Sequence, residues 1–215
     1  MNLLRHLIVY GYIISERCNR ITSVKESYMD NGASSYLRFL NGDNDSFVEV
    51  VKEYGDGLIL FLNSIIRDIH ISEEAANDTL MKLYIKKPQY KSEYSFKTWL
   101  YTIGRNVALK YLKKMKRHRY SPLDDFSYFS DNIDLESKYI QDEQKLLIHQ
   151  CIKALNKDYA QVLFLIYFEN LSHTEAAQVM NKSQRQITQL LYCAKGALKK
   201  EMERREIDGQ ICKMG

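Results

Sequence analysis

Proline is almost missing from this chain, two in 215 residues, and glycine is sparse at nine. So few breakers, few alternating apolar and polar runs and many segments of 3.6-residue period exclude a strand-rich protein and predict an all-α one. Cysteine is scarce as well. Cys18, Cys151, Cys193 and Cys212 show no C-x-x-C spacing, which argues against a disulfide framework and fits reduced thiols in a cytosolic protein. A zinc site from Cys151, Cys193 and His149 has no paired-ligand spacing behind it. There is no glycine-rich phosphate loop and no H-E-x-x-H, and His70, His118, His149 and His173 are scattered. No catalytic, cofactor-binding or metal-binding residue is therefore assigned, and an enzyme is not indicated.

Long hydrophobic runs are lacking too. Residues 1–27 carry Leu3, Leu4, Leu7, Ile8, Val9, Ile13 and Ile14, but Arg5 and His6 interrupt them. The run falls short of the roughly 20 apolar residues a membrane span needs, and no small-residue cleavage site follows it. An amphipathic helix, a disordered arm and a segment upstream of a true start at Met29 all stay open for residues 1–34.

The most informative absence is local. Between Tyr94 and Leu123 there is no Asp or Glu, while Arg105, Lys110, Lys113, Lys114, Lys116, Arg117 and Arg119 crowd the stretch. The net charge of +4 says little; its distribution says more. A basic surface without interleaved acids attracts polyanions, nucleic-acid backbone first among them. The same stretch places Phe96, Trp99, Leu100, Ile103, Val107, Leu109 and Leu112 near helical spacing, a buried stripe on a long helix capped by Ser95. Tyr90 and Tyr94, on the preceding loop, could stack on unpaired bases at roughly 1 to 3 kcal/mol per base.

Upstream, residues 35–84 read as a helical bundle with a turn at 41–45. Ser72 is the expected N-cap of a helix with Glu73 and Glu74 in its first turn. Lys86, Lys87 and Pro88 end that helix, whose exposed face carries Glu73, Asn77, Asp78 and Lys82. Downstream, residues 121–142 hold Pro122 and six acids, Asp124, Asp125, Asp131, Asp134, Glu136 and Asp142, with no periodicity, which reads as a flexible acidic linker.

Beyond Leu146 three starts carry an oxygen side chain followed three residues later by Glu or Gln: Asp158 with Gln161, Ser172 with Glu175, Ser183 with Gln186. Helices at 174–180 and from 184 to about 202, joined by a turn at 181–183, have the geometry of a helix-turn-helix. In the last helix Ile187, Leu190, Leu191, Ala194 and Leu198 face inward, leaving Arg185, Thr188, Gln189, Tyr192 and Lys195 outward. Arg, Gln and Thr can pair with base edges, and Lys182, Lys195 and Lys199 can hold phosphates.

The run E-E-A-A-N-D-T-L-M-K-L-Y at 73–84, followed by S-F-K-T-W-L-Y-T-I-G-R-N-V-A-L-K-Y-L-K-K at 95–114 and a basic tail, resembles region 2 of bacterial sigma factors of the small extracytoplasmic-function (ECF) class. A-L-N-K-D-Y-A-Q-V-L, L-S-H-T-E-A-A-Q-V-M and Q-I-T-Q-L-L-Y-C-A-K-G-A-L, within 154–198, resemble region 4. The resemblance implies two helical domains, at 35–120 and 144–205, a linker at 121–143 that threads the polymerase channel, and a tail at 206–215. It implies core RNA polymerase as partner, through the beta-prime clamp helices and the beta flap, and promoter DNA; it also admits an anti-sigma factor. By position it assigns Glu74, Asn77, Asp78 and Lys82 to polymerase binding. It assigns Tyr90, Tyr94, Ser95, Phe96, Asn106, Lys110, Lys113, Lys114 and Arg117 to the -10 element. Lys182, Arg185, Thr188, Gln189, Tyr192, Lys195 and Lys199 go to the -35 element. Asn77 stands where the family usually has Gln, Asn156 where it has Pro, and Asn181 where it has Gly; the reading helix has Leu190 and Cys193 where Arg is common. The rival reading is a stand-alone helix-turn-helix regulator whose first half dimerises or senses a ligand.

Overall fold

In the computed structural model, residues 31–91, 93–119 and 143–212 are described. The acidic linker and the first 30 residues lie outside them. Helix α1 (Asn31–Leu40) ends in a turn at 41–44, and α2 (Asp45–Ile66), α3 (Ile69–Lys86) and α4 (Phe96–Arg119) complete the first half. The second half holds α5 (Glu143–Ala154), α6 (Lys157–Leu163), a π-turn (Phe164–Phe168), α7 (His173–Met180) and α8 (Gln184–Cys212). No strand occurs among the described residues.

The caps explain the boundaries, with two corrections. Asp68, not Ser72, opens α3: its extended backbone lets its carboxylate accept the Ile71 N–H at 3.1 Å, while Ser72 lies inside the helix and donates back to the Asp68 carbonyl. Asn156, not Asp158, opens α6, accepting the Tyr159 N–H at 2.9 Å. Ser172 and Glu175 form the full reciprocal box on α7, and Ser183 and Gln186 do the same on α8. Ser95 accepts the Thr98 N–H at 3.3 Å, as expected of the cap of α4. Helices α2, α3 and α7 close on Arg67, Lys87 and Asn181, each left-handed at φ 69°, 42° and 52°.

Aromatic rings fill the first half. Tyr36, Phe96 and Trp99 lie 5.3 to 5.5 Å apart by centroid, and the Tyr36 hydroxyl donates to the Pro88 carbonyl at 2.8 Å; burial pushes its pKa up to about 12. A Cβ at Gly32 would stand 2.4 Å from the Tyr54 hydroxyl, so α1 lies on α2 at a distance only glycine permits. The buried stripe of α4 is Phe96, Leu100, Tyr101, Val107 and Ala108; Leu109 is 40 % exposed, because the helix meets α2 and α3 along a face that turns away from it.

The described helices belong to one compact unit beginning at Gly32, and one apolar core runs through both halves. Phe61 of α2 meets Phe164 of the π-turn at 6.0 Å, and Phe164 stacks on Phe168 beside His149. Helix α8 also runs ten residues past its expected end near residue 202.

Candidate nucleic-acid interface

Helix α4 presents Asn106, Lys110, Lys113, Lys114 and Arg117 at offsets of 4, 7, 8 and 11 from the first, and all five are exposed. That spacing makes a single stripe along the helix. Five side chains, four of them cationic, thus share a face. Arg105 leaves the basic set: it is half-buried, donates to the Gln161 side chain at 3.0 Å, and desolvation lowers its pKa despite the opposing pull of Asp158.

At the start of α4 a cleft of about 210 Å³ is walled by Gln89, Lys91, Glu93, Tyr94, Thr98, Trp99, Thr102 and Gln178. Tyr94 reaches it, whereas Tyr90 packs against Phe96 and Trp99 and gives its hydroxyl to the Tyr94 carbonyl. Phe96 is 0 % exposed and so offers no face to a base; it is corrected from the -10 set to the core. Ser95 is engaged as well, donating its hydroxyl to Glu175 of α7.

On α3, Glu74, Asn77 and Asp78 are exposed and Lys82 is half-exposed. Asp78 accepts a hydrogen bond from the Tyr111 hydroxyl of α4 at 2.7 Å; burial and that carboxylate raise the Tyr111 pKa to about 12. Beside them stand Met81 and Ile85, 52 % and 69 % exposed. Sequence reasoning passed these two over, although 77, 81 and 85 share one face at four-residue steps.

The helix-turn-helix is formed by α7 and α8. Arg185, Thr188, Gln189, Tyr192, Lys195 and Lys199 are all exposed on α8, Tyr192 at 78 %. Ile187, Leu191 and Ala194 are buried beneath them, as the spacing predicted. Thr188 donates to the Gln184 carbonyl at 3.1 Å and lies 3.3 Å from the His173 ring. Lys195 lies over the Tyr167 ring at 5.5 Å. Lys182 is half-buried and paired with Asp158 at 3.1 Å, a partner the cap assignment had hidden. No group of three or more metal-ligating side chains occurs among the described residues, and no helix among them is long and apolar enough to cross a membrane.

Comparison with known proteins gives two family matches: the model described as Sigma-70 region 2 over residues 50–118, and the model described as Sigma-70, region 4 over residues 145–198. Among curated proteins, the chain is similar to the ECF RNA polymerase sigma factor SigM of Bacillus subtilis strain 168, 29 % identical over 153 residues, covering 70 % of this chain and 91 % of the relative. It is also similar to SigW of the same strain, 24 % identical over 172 residues, covering 75 % and 91 %. Among solved structures, CnrH in complex with the cytosolic domain of CnrY superposes with a TM-score of 0.59 at 17 % identity, covering 81 % of this chain and 99 % of that one. The sigma factor RpoE of Bartonella quintana, in complex with the anti-sigma factor NepR, gives 0.57 at 21 % identity, covering 73 % and 96 %. Both have the same fold.

Proposed function

The chain belongs to the sigma-70 family, in its extracytoplasmic-function class, and from that premise we propose how its surfaces divide the work of promoter-specific transcription initiation. Sigma factors of this family bind core RNA polymerase and promoter DNA and are non-catalytic. The chain's function is therefore carried by binding alone, in the cytoplasm, with an anti-sigma factor as a further partner.

The exposed face of α3, with Glu74, Asn77, Asp78 and Lys82, docks on the polymerase clamp, and Met81 and Ile85 supply apolar contact there. The stripe of α4 from Asn106 to Arg117 tracks the phosphates beside the -10 element. Tyr94 and the cleft next to it take a base freed from the duplex, which offsets part of the melting cost. The exposed row of α8 enters the major groove at the -35 element: Arg185, Thr188 and Gln189 face base edges, and Lys195 and Lys199 hold phosphates. Lys182 serves there only after giving up Asp158.

The single observation that carries this reading is the presence, in one chain and in the family's order, of a region 2 match and a region 4 match, each with an exposed row of cationic and polar side chains. A stand-alone regulator accounts for the second but not the first. The test is reconstitution with bacterial core polymerase. Wild-type protein should co-elute with core in gel filtration and yield discrete run-off transcripts from genomic fragments, and Asn77→Ala with Asp78→Ala should weaken co-elution without unfolding the chain. Tight site-specific duplex binding by the protein alone, with no co-elution, would sink the reading.

A further inference from the structure

The side chain of Thr188 is exposed on α8, yet its hydroxyl is engaged twice within the protein. It donates to the Gln184 carbonyl one turn back at 3.1 Å, and it lies 3.3 Å from Nδ1 of His173, the first residue of α7. A hydroxyl carries one hydrogen, and whichever way the imidazole is protonated that hydrogen stays on a group of the chain itself. A threonine held by its own i−4 carbonyl has one γ substituent left to present, the methyl. Both contacting residues are firmly placed. Ser172 and Glu175 box the start of α7, and Ser183 and Gln186 box the start of α8. Ile187 and Leu191, buried beneath the exposed row, set the rotation of α8 about its axis. One turn beyond Thr188 the Tyr192 ring is 78 % exposed, and residues four apart on a helix are surface neighbours. A methyl and a ring therefore stand together in a row whose other members, Arg185, Gln189 and Lys195, end in N–H groups.

We propose that Thr188 reads a thymine of the -35 element through its methyl, by contact with the C5-methyl group of the base, and that His173 is the positioning residue that holds the hydroxyl aside. This rests on the placement of α8 in the major groove at that element. Thymine alone among the bases presents a methyl there. The hydroxyl, whose hydrogen is already placed, has none to give to N7, O6 or O4 of a base edge. The selectivity of Thr188 thus differs in kind from that of Arg185 and Gln189, which offer donors. Tyr192 borders the contact and keeps water from it. Burial of one methyl group is worth about a fourfold preference.

The experiment uses the full chain with core polymerase on a promoter recovered by run-off transcription. Each thymine of the -35 element is replaced in turn by deoxyuridine, which keeps every hydrogen-bonding group and lacks the methyl. Binding should fall about fourfold at one position and stay level at the rest. Thr188→Val, which keeps a methyl and removes the hydroxyl, should retain that sensitivity; Thr188→Ser, which does the opposite, should bind the two duplexes alike. His173→Ala should bring the thymine-over-uracil ratio toward one, with helix content by circular dichroism and polymerase co-elution unchanged. His173→Asn, which keeps a hydrogen-bonding nitrogen at the δ position, should restore the ratio. A serine variant that still separates the two duplexes, a valine variant that does not, or a -35 element with no position sensitive to the methyl would overturn the contact. An unchanged ratio in His173→Ala would remove His173 from it. If the chain binds a duplex without polymerase, the same scan on that duplex lets the sigma reading fail while the methyl contact stands. Transcription with no uracil-sensitive position is the reverse, and a chain that binds duplex in neither form defeats both.

Discussion

Single side chains set where α3, α6 and α7 begin, and two carboxylates, Glu175 and Glu201, set how the protein answers acid. Glu201 on α8 accepts hydrogen bonds from Arg204 and Arg205, each at 2.8 Å to the same oxygen, and these hold its pKa down at about 2. Its folded pKa is depressed, so its contribution to stability is fully present above the unfolded carboxylate value of about 4.3 and is lost as pH falls toward about 2. Glu175, held low by the Ser172, Ser95 and Thr98 donors, adds in the same direction. Urea unfolding followed from pH 6 to pH 2.5 should show stability falling below about pH 4.3, and Glu201→Gln should flatten that fall. An equal slope in the variant would refute the assignment. At this scale the sequence was a good guide to type and a poor one to choice. It offered Ser72 and Asp158 as caps, but Asp68 and Asn156 stand where the backbone leaves extended geometry, a conformation that residue type alone does not reveal.

At the scale of the helix, α4 and α8 do different jobs with similar-looking rows. Lys113 and Lys114 on α4 meet phosphate under the proposed assignment, so replacing both with Ala should weaken the polymerase–promoter complex about equally on all promoters. It should also shallow the salt dependence, by about 0.9 in log–log slope for each phosphate no longer neutralised. Gln189→Ala on α8 should instead cost about 1 to 3 kcal/mol and relax the choice of base at one position of the -35 element. A promoter-library run-off assay at several salt concentrations separates the two behaviours. The rows were legible because exposed cationic and polar residues recur at helical spacing. Arg105 and Leu109 were not, because spacing places a residue on a face but does not say whether another element covers it. Helix α6 covers Arg105, and nothing described covers Leu109 fully.

In the whole molecule the two halves share a core, so each lends stability to the other. Phe164 of the second half is 2 % exposed and lies against Phe61 of the first. Phe164→Ala should cost about 3 to 5 kcal/mol, and because the halves pack together the loss should register at Trp99 in the first half. Denaturant unfolding monitored by Trp99 fluorescence and by far-UV circular dichroism should shift together; a Trp99 transition left at its wild-type midpoint would show that the halves unfold independently.

Local chemistry settled the helical class, the order of a basic helix and a helix-turn-helix, the capping boxes at Ser172 and Ser183, and the faces of α3, α4 and α8. These depend on breakers, caps and the 3.6-residue period, all carried by neighbours in the chain. Tertiary structure alone decided that Phe96 is core, that Arg105 and Lys182 are engaged by Gln161 and Asp158, and that Glu175 reaches Ser95 across eighty positions. Such pairings join residues far apart in sequence, so no local pattern encodes them. They form only when the entropy lost in bringing distant parts of the chain together is offset by the apolar surface both halves bury.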